Sequence, residues 1–259
     1  MPINFHDESN RHMYTGRQAD QSWFDAMRAL VDARGKTVVD IGCGGGIYSV
    51  AWAMMGARQV IGVDFSEVML TTARETLNAM TQLQFVYGKA DETGLPNNSA
   101  DIVYSRALLH HLDEVDGCAK EAWRLLKPGG AVIFQERTPQ DLSHLGSPAH
   151  LRGYVFDVFP HLMKIEEARR PEKETVIEAL RNAGFEDVRT VELEETRRIY
   201  VHFEELAQDL RARKGRSILH ALNDDELEIL IEHIRASLNN EEPIIEKDRW
   251  TLWHAMSPN

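Results

Sequence analysis

Between Lys36 and Glu136 short β-like runs alternate with longer helical patterns, and this rhythm constrains the chain more than any other feature. Thr37-Val38-Val39-Asp40-Ile41 reads as a buried strand, and a helix follows from about Ile47 to Met55, stopping at Gly56. Gln59 to Val63 is the next strand; Ser66 can then cap a helix to about Met80, with Val68, Met69, Ala73, Leu77 and Met80 on one face. Leu83 to Tyr87 and Asp101 to Ser105 are the third and fourth strands. The helix after the fourth turns Val115, Cys118, Ala119, Ala122 and Leu126 inward. Lys127-Pro128-Gly129-Gly130 breaks that helix, and Ala131 to Phe134 is a fifth strand. Strands and helices alternating at this spacing predict an α/β fold, a parallel sheet covered on both faces.

Beyond Glu136 the rhythm changes. Residues 138–170 carry Pro139, Gly146, Pro148 and Pro160 among Tyr154, Phe156 and Phe159, and read as a loop with short helices. Thr175-Val176-Ile177-Glu178 has the form of a capping box for a helix ending at Gly184. Val188 to Leu193 is the expected sixth strand. Two amphipathic helices follow, one over about 202–213 and one opened by an Asn223-Asp224-Asp225 cap. Trp250 to Met256 alternates as a last strand. The expected organisation is one integrated domain: an N-terminal helical segment over 1–35, a ligand-binding core over 36–136, and the rest of the sheet with lid helices over 137–259. Tyr154, Phe156, Phe159, Tyr200 and Phe203 are candidate lining residues of the lid, although an aromatic at helical spacing is more often core.

The first strand ends in Asp40-Ile41-Gly42-Cys43-Gly44-Gly45-Gly46 and feeds a helix. Glycines let a backbone approach a ligand closely, and a helix start offers unpaired N–H groups. A nicotinamide dinucleotide site would want GxGxxG, but its third glycine falls on Ile47. Asp40, two residues before the first glycine, suits a ligand's ammonium group better than a pyrophosphate. Asp64 ends the second strand, where a carboxylate can accept both hydroxyls of a ribose. Ala90-Asp91 follows the third strand, placed to read an adenine edge, and Ser105 to Leu112 follows the fourth. All lie at carboxyl ends of strands, where open α/β sheets bind ligands.

These segments, VVDIGCGGG (38–46), IGVDFSEVML (61–70), GKADETGLP (88–96), DIVYSRALLHHL (101–112) and RLLKPGG (124–130), resemble the class I S-adenosylmethionine-dependent methyltransferases. The likeness is to their broad small-molecule group of the ubiquinone/menaquinone-biosynthesis type, and it covers about residues 36–136. It implies a Rossmann-like, doubly wound, seven-stranded sheet with an antiparallel last strand. It implies S-adenosyl-L-methionine as methyl donor and S-adenosyl-L-homocysteine as product. By the same resemblance Asp40 and the backbone of Gly42, Cys43 and Gly44 hold the methionine moiety. Asp64 binds the ribose, Phe65 and Met69 line the pocket, Ala90 and Asp91 hold the adenine, and Ser105 closes the site near the sulfonium. Tyr14 and Arg17 are weaker candidates to reach the cofactor.

Methyl transfer from a sulfonium needs mainly alignment, with a general base only where the acceptor must lose a proton. His110 and His111 are the candidate bases, with Glu136 at the end of the fifth strand a second choice. No Asn/Asp-Pro-Pro-Tyr/Phe run, Pro-Cys nucleophile, paired-glutamate loop or magnesium-type carboxylate set stands out, so a small-molecule acceptor is expected and no metal. With 41 acidic against 29 basic residues and a net charge of −12, bulk nucleic-acid or anionic-membrane binding is disfavoured. Cys43 and Cys118 fit no disulfide framework or CxxC pair, and no signal peptide or ~20-residue apolar span is seen, so a cytoplasmic location is expected. A homodimer is an open option. Two other readings compete: a cofactor-binding regulatory or assembly subunit without turnover, and an NAD(P)-dependent oxidoreductase.

Overall fold

The computed structural model describes residues 18–77, 79–213, 215–238 and 243–259. A seven-stranded sheet runs in the order β3-β2-β1-β4-β5-β7-β6. Its strands are β1 (Thr37–Ile41), β2 (Gln59–Asp64), β3 (Leu83–Tyr87), β4 (Ala100–Arg106), β5 (Leu126–Glu136), β6 (Glu186–Tyr200) and β7 (Ile244–Met256). Neighbours from β3 through β5 pair in parallel, whereas β7 lies antiparallel to β5, with Ala131 opposite Met256 and Glu136 opposite Thr251. The strand order reverses between β1 and β4, the switch point where sheets of this kind open a crevice beyond their carboxyl ends.

The chain divides into two compact units. The larger contains α1 (Gln21–Leu30), α2 (Ile47–Met54), α3 (Glu67–Thr76), α4 (Val115–Leu125) and α8 (Lys173–Ala183), with β1 to β5 and the segments 171–193 and 251–259. Its core joins Val39, Ile41 and Val103 of the sheet to Cys118, Ala122 and Leu125 of α4, and to Val176 and Leu180 of α8. The fully buried β1 and the buried run of β2 after Gln59 follow from cover on both faces. A second cluster of the same unit gathers Trp23, Trp52 and Tyr104, whose rings meet edge-on at 5.2 to 5.8 Å. Trp23 Nε1 donates to Tyr104 Oη at 2.9 Å, and Tyr104 Oη donates to Gln135 Oε1 at 2.7 Å, so these two buried rings have their polar atoms satisfied.

The smaller unit, residues 137–170 and 194–250, holds α5 (Pro139–Leu142), α6 (Leu151–Val158), α7 (Pro160–Ala168), α9 (Phe203–Arg211) and α10 (Asp224–Leu238). It has its own apolar core, with Leu151 and Tyr154 of α6, Leu206 and Leu210 of α9, and Leu230, Ile231 and Ile234 of α10. Tyr154, Phe156 and Tyr200 are buried in that core, and Phe159 and Phe203 pack partly buried against it. Pro139 and Pro160 occupy the first turns of α5 and α7, where a missing N–H costs nothing. Asn223 Oδ1 accepts from Glu226 N at 2.9 Å and Glu226 answers on Asn223 N, a reciprocal cap for α10.

Several boundaries differ from the sequence expectation. Helix α3 stops at Thr76 rather than Met80, because Leu77 closes it and the chain must turn back for β3. β5 starts at Leu126 without a break. A register shift opposite Ala100–Ile102 absorbs Pro128 and Gly129, the bulge that lets such residues enter a strand. Helix α8 begins at Lys173 with Glu172 as an uncapped N-cap, so Thr175 sits inside the first turn. Packing of Val176 and Leu180 into the core and a bond from Trp253 Nε1 to Lys173 O set its start instead. β6 and β7 are longer than the expected 188–193 and 250–256.

Candidate active site

The glycine turn is shaped by its neighbours. Gly42 has φ +75°, and a Cβ there would stand 2.9 Å from Leu108 Cδ1, so only glycine allows that leucine to close over the turn. Gly46, at φ +82°, is the N-cap of α2 and gives no side-chain cap, which leaves the first-turn N–H groups available to a ligand. Leu108 reaches the turn because Ala107 is held at φ +53°, a left-handed conformation that costs a non-glycine residue about 1–3 kcal/mol. The Ala107 N–H is secured on Gln135 O at 2.9 Å.

Register brings three polar side chains to the carboxyl ends of adjacent strands. Asp40 lies opposite Gly62 on one side and Tyr104 on the other, and Ile41 lies opposite Ser105. Asp40 is buried and its Oδ2 accepts from Ser49 Oγ at 2.6 Å. Burial pushes its carboxyl up to about 7; the Ser49 bond opposes this, the charge of Asp64 adds to it, and Arg106 opposes it. A carboxyl so poised is held ionised by any cation brought beside it. Asp64 at the end of β2 accepts from Gly44 N at 2.8 Å with one oxygen and from Ser66 N at 2.9 Å with the other. Those bonds fix its plane, and a carboxylate offers about four acceptor sites in all. Ser105 is 1% exposed and its Oγ has no hydrogen-bond partner, an expensive state for a buried hydroxyl.

The remaining candidates fall around this line. Phe65 is half exposed and Met69 buried, with Met69 Cε 3.5 Å from where a Gly44 Cβ would lie. Ala90 is partly buried and Asp91 is exposed, in a turn closed by the Lys89–Glu92 bridge. Glu121 on α4 anchors that turn by accepting from Thr93 N at 2.8 Å and Thr93 Oγ1 at 2.5 Å. Cys43 has its thiol raised well above the usual value, by burial first and then by the charges of Asp40 and Asp64, so it stays protonated. Tyr14 and Arg17 lie outside the described residues.

His110 and Glu136 come together. His110 Nδ1 is 2.7 Å from Glu136 Oε2, and their side chains are 9% and 0% exposed. His111 stands beside, with ring centroids 4.0 Å apart, but is itself exposed. A carboxylate on Nδ1 fixes the tautomer that leaves Nε2 as the proton acceptor.

Residues 39–134 match the family described as a methyltransferase domain. A demethylmenaquinone methyltransferase of Clavibacter sepedonicus is 30% identical over 199 residues, covering 71% of this chain and 78% of the relative. This chain is a class I S-adenosylmethionine-dependent methyltransferase. A ubiquinone biosynthesis O-methyltransferase of Neisseria meningitidis is 32% identical over 126 residues, covering 47% of this methyltransferase and 53% of that protein. Among solved structures, a methyltransferase assigned to an antibiotic biosynthesis pathway of Anabaena variabilis superposes with a TM-score of 0.70 at 22% identity, over 92% of this chain and 98% of that one. Phosphoethanolamine N-methyltransferase 2 of Haemonchus contortus superposes at 0.64 with 20% identity, over 99% and 60%. The fold is common to all of them, and the methyl donor of this methyltransferase is S-adenosylmethionine.

The residues present fit that donor. A buried carboxyl at Asp40, a fixed carboxylate at Asp64 and an uncapped helix start match an ammonium, a diol and a carboxylate in turn. The sequence reading missed Ser49, the partner of Asp40, and the stack of Arg106 on Tyr48, with Cζ 4.3 Å from the ring centroid. A hydroxyl amid the apolar run Ile47-Tyr48-Ser49-Val50-Ala51-Trp52 was the available signal for the first. No described helix is long and apolar enough to cross a membrane, and no metal-type cluster of His, Cys, Asp and Glu occurs among the described residues.

Proposed function

We propose that this methyltransferase transfers a methyl group to an oxygen or carbon of a hydroxylated, quinol-like small molecule, with His110 taking the acceptor's proton. The observation that carries the reading is the His110–Glu136 pair at 2.7 Å, with a fully buried carboxylate behind the ring. Support for the acceptor class comes from relatives named for demethylmenaquinone methylation and for ubiquinone biosynthesis. In the proposed site Asp40 and the backbone of Gly42, Cys43 and Gly44 hold the amino-acid end of the donor. Asp64 takes the ribose hydroxyls beside Phe65 and Met69, Ala90 and Asp91 take the base, and Ser105 faces the sulfonium. Tyr14 and Arg17 stay candidates for closing it.

When bound, S-adenosylmethionine supplies an electrophilic methyl group on a positively charged sulfur. The chain's own task is then to align the nucleophile with the carbon–sulfur bond, an effect of roughly 7–11 kcal/mol. Glu136 accepts the His110 Nδ1–H and steadies the imidazolium once Nε2 has taken a phenolic proton, and such a base contributes roughly 10²- to 10⁴-fold. The test is His110→Gln and Glu136→Gln assayed with a panel of quinols and phenols. Each variant should lower kcat/KM by about 10²- to 10⁴-fold, flatten the acidic limb of its pH profile, and keep S-adenosylhomocysteine affinity. Unchanged rates and pH profiles in both variants would refute the assignment of a base.

A further inference from the structure

Helix α4 meets the turn proposed to read the donor's base at three places along one stripe of its surface. Residues 117, 121 and 124 follow at i, i+4 and i+7, so they lie on the same side of the helix. Gly117 stands behind Asp91: a Cβ built on it would lie 3.0 Å from Asp91 Cβ, and the three nearest atoms are all of Asp91. Glu121 holds Thr93, accepting from its N at 2.8 Å and from its Oγ1 at 2.5 Å. Arg124 reaches the far end of the segment and donates to Asn97 Oδ1 at 2.5 Å.

Glu121 and Arg124 also bind one another. Arg124 Nε donates to Glu121 Oε2 and its Nη2 to Oε1, both at 2.7 Å, a two-pronged pair. Glu121 is 5% exposed; burial acts to raise its pKa, but the bonds from Arg124 and then Thr93 hold it below the usual carboxylate value. Thr93 is therefore bound by a charged acceptor that the guanidinium has already oriented. Ala90 and Asp91 form the tip between Lys89 and Glu92, whose backbones pair as a bridge. The tip is thus seated on Gly117 at Asp91 and tied down two residues later at Thr93.

Glycine inside a helix is less stable than alanine, and Gly117 has no left-handed backbone that would call for it. What it supplies is space. An alanine methyl there would press Asp91 outward by a few tenths of an ångström, enough to spoil a directional bond from its carboxylate.

We propose that Gly117 and Glu121 are positioning residues for base selectivity, placing the Asp91 carboxylate to accept from an exocyclic amino group; this rests on the reading of Asp91 as a base contact. An amino group donates to a carboxylate, whereas a keto oxygen at the same position sets acceptor against acceptor.

The test compares S-adenosylhomocysteine with S-inosylhomocysteine, which carries a keto oxygen in place of the amino group, by calorimetry on the full chain. Wild type should prefer the amino compound by about 10- to 100-fold, the effect of one hydrogen bond to a charged group. Gly117→Ala should bring the two ligands to within about threefold of each other, chiefly by weakening the amino compound. Its Tm should stay at or above that of wild type, because alanine favours the helix. A glycine needed only for packing would move Tm and leave the preference alone. Glu121→Gln should also shrink the preference, with a lower Tm from loss of the Arg124 pair, and Asp91→Ala should abolish it. Should Glu121→Gln not fold, Gly117→Ala decides alone. A wild-type preference in Gly117→Ala beside a lost one in Asp91→Ala would overturn the positioning role and leave the base contact standing. An unchanged preference in Asp91→Ala would remove the base contact and the positioning role together.

Discussion

Replacing Asp64 by alanine tests the cofactor site at the residue with the best-defined geometry. The carboxylate is 8% exposed and pinned by two backbone N–H groups, at 2.8 Å from Gly44 and 2.9 Å from Ser66. The carboxylate is the proposed acceptor for two ribose hydroxyls. Hydrogen bonds to a charged group contribute about 1.5–3 kcal/mol each, so losing two removes about 3–6 kcal/mol of binding. At 1.4 kcal/mol per factor of ten this is about 10²- to 10⁴-fold in the S-adenosylhomocysteine dissociation constant. The same change strands the Gly44 and Ser66 N–H groups, at about 1–3 kcal/mol for each that water cannot reach. A fall in Tm of several degrees is therefore expected, at roughly 2–4 °C per kcal/mol for a chain of this size. Asp64→Asn separates the two effects, since it keeps one acceptor oxygen and the shape but not the charge. It should bind poorly while melting between Asp64→Ala and wild type, because its amide NH2 faces one of the two N–H groups and only the other keeps its acceptor. Calorimetry with S-adenosylhomocysteine on both variants, after a thermal scan, supplies the numbers. Undiminished affinity in a folded Asp64→Ala protein would show that the ribose lies elsewhere.

Two further outcomes follow from the same region. Because the Asp40 pKa is raised to about 7, its contribution to stability is present in full below the unfolded value near 3.8 and is lost as pH rises through about 7. Asp40→Asn should flatten that decline in denaturant midpoints measured from pH 4 to 8, and should abolish the proton release expected when S-adenosylhomocysteine binds below pH 7, read by calorimetry in buffers of different ionisation enthalpy. Trp23 is 0% exposed and hydrogen-bonded to Tyr104, so Trp23→Ala should destabilise by about 3–5 kcal/mol and lower Tm by roughly 6–20 °C; a shift under about 2 °C, on the same scale, would mean that α1 is not integral to this core.

Much of the sheet was legible because local signals carried it. β1 to β4 were read to within a residue or two, since apolar runs punctuated by Gly, Asp and Ser leave little choice. The line of Asp40, Asp64 and Ser105 followed from strand ends alone. The closing strands were harder. β6 alternates exposed and half-buried residues over most of its 15 positions, so only its most apolar stretch stood out. Pro128 and Gly129 argued for a loop where a bulge keeps the ladder going. The division into two units, the bond from Ser49 to Asp40 and the seat of Asp91 on Gly117 depend on which residues meet across long stretches of chain. No local pattern encodes that. His110 and Glu136 were each visible as candidates, 26 residues apart, but their pairing needed β4 and β5 side by side.

The place of β7 in the sheet has a consequence for biosynthesis. The strand that comes last in the sequence lies between β5 and β6, both of which leave the ribosome before it. Until it arrives, the edge of β5 stays open over the register that Ala131 to Glu136 will share with Met256 to Thr251. The buried Trp253 and Ala255 are likewise missing from the core. An open edge on a parallel sheet invites pairing with other nascent chains. Ribosome-bound chains arrested ahead of Thr251 should thus be a form in need of chaperone protection, and the emergence of β7 the step that ends that need.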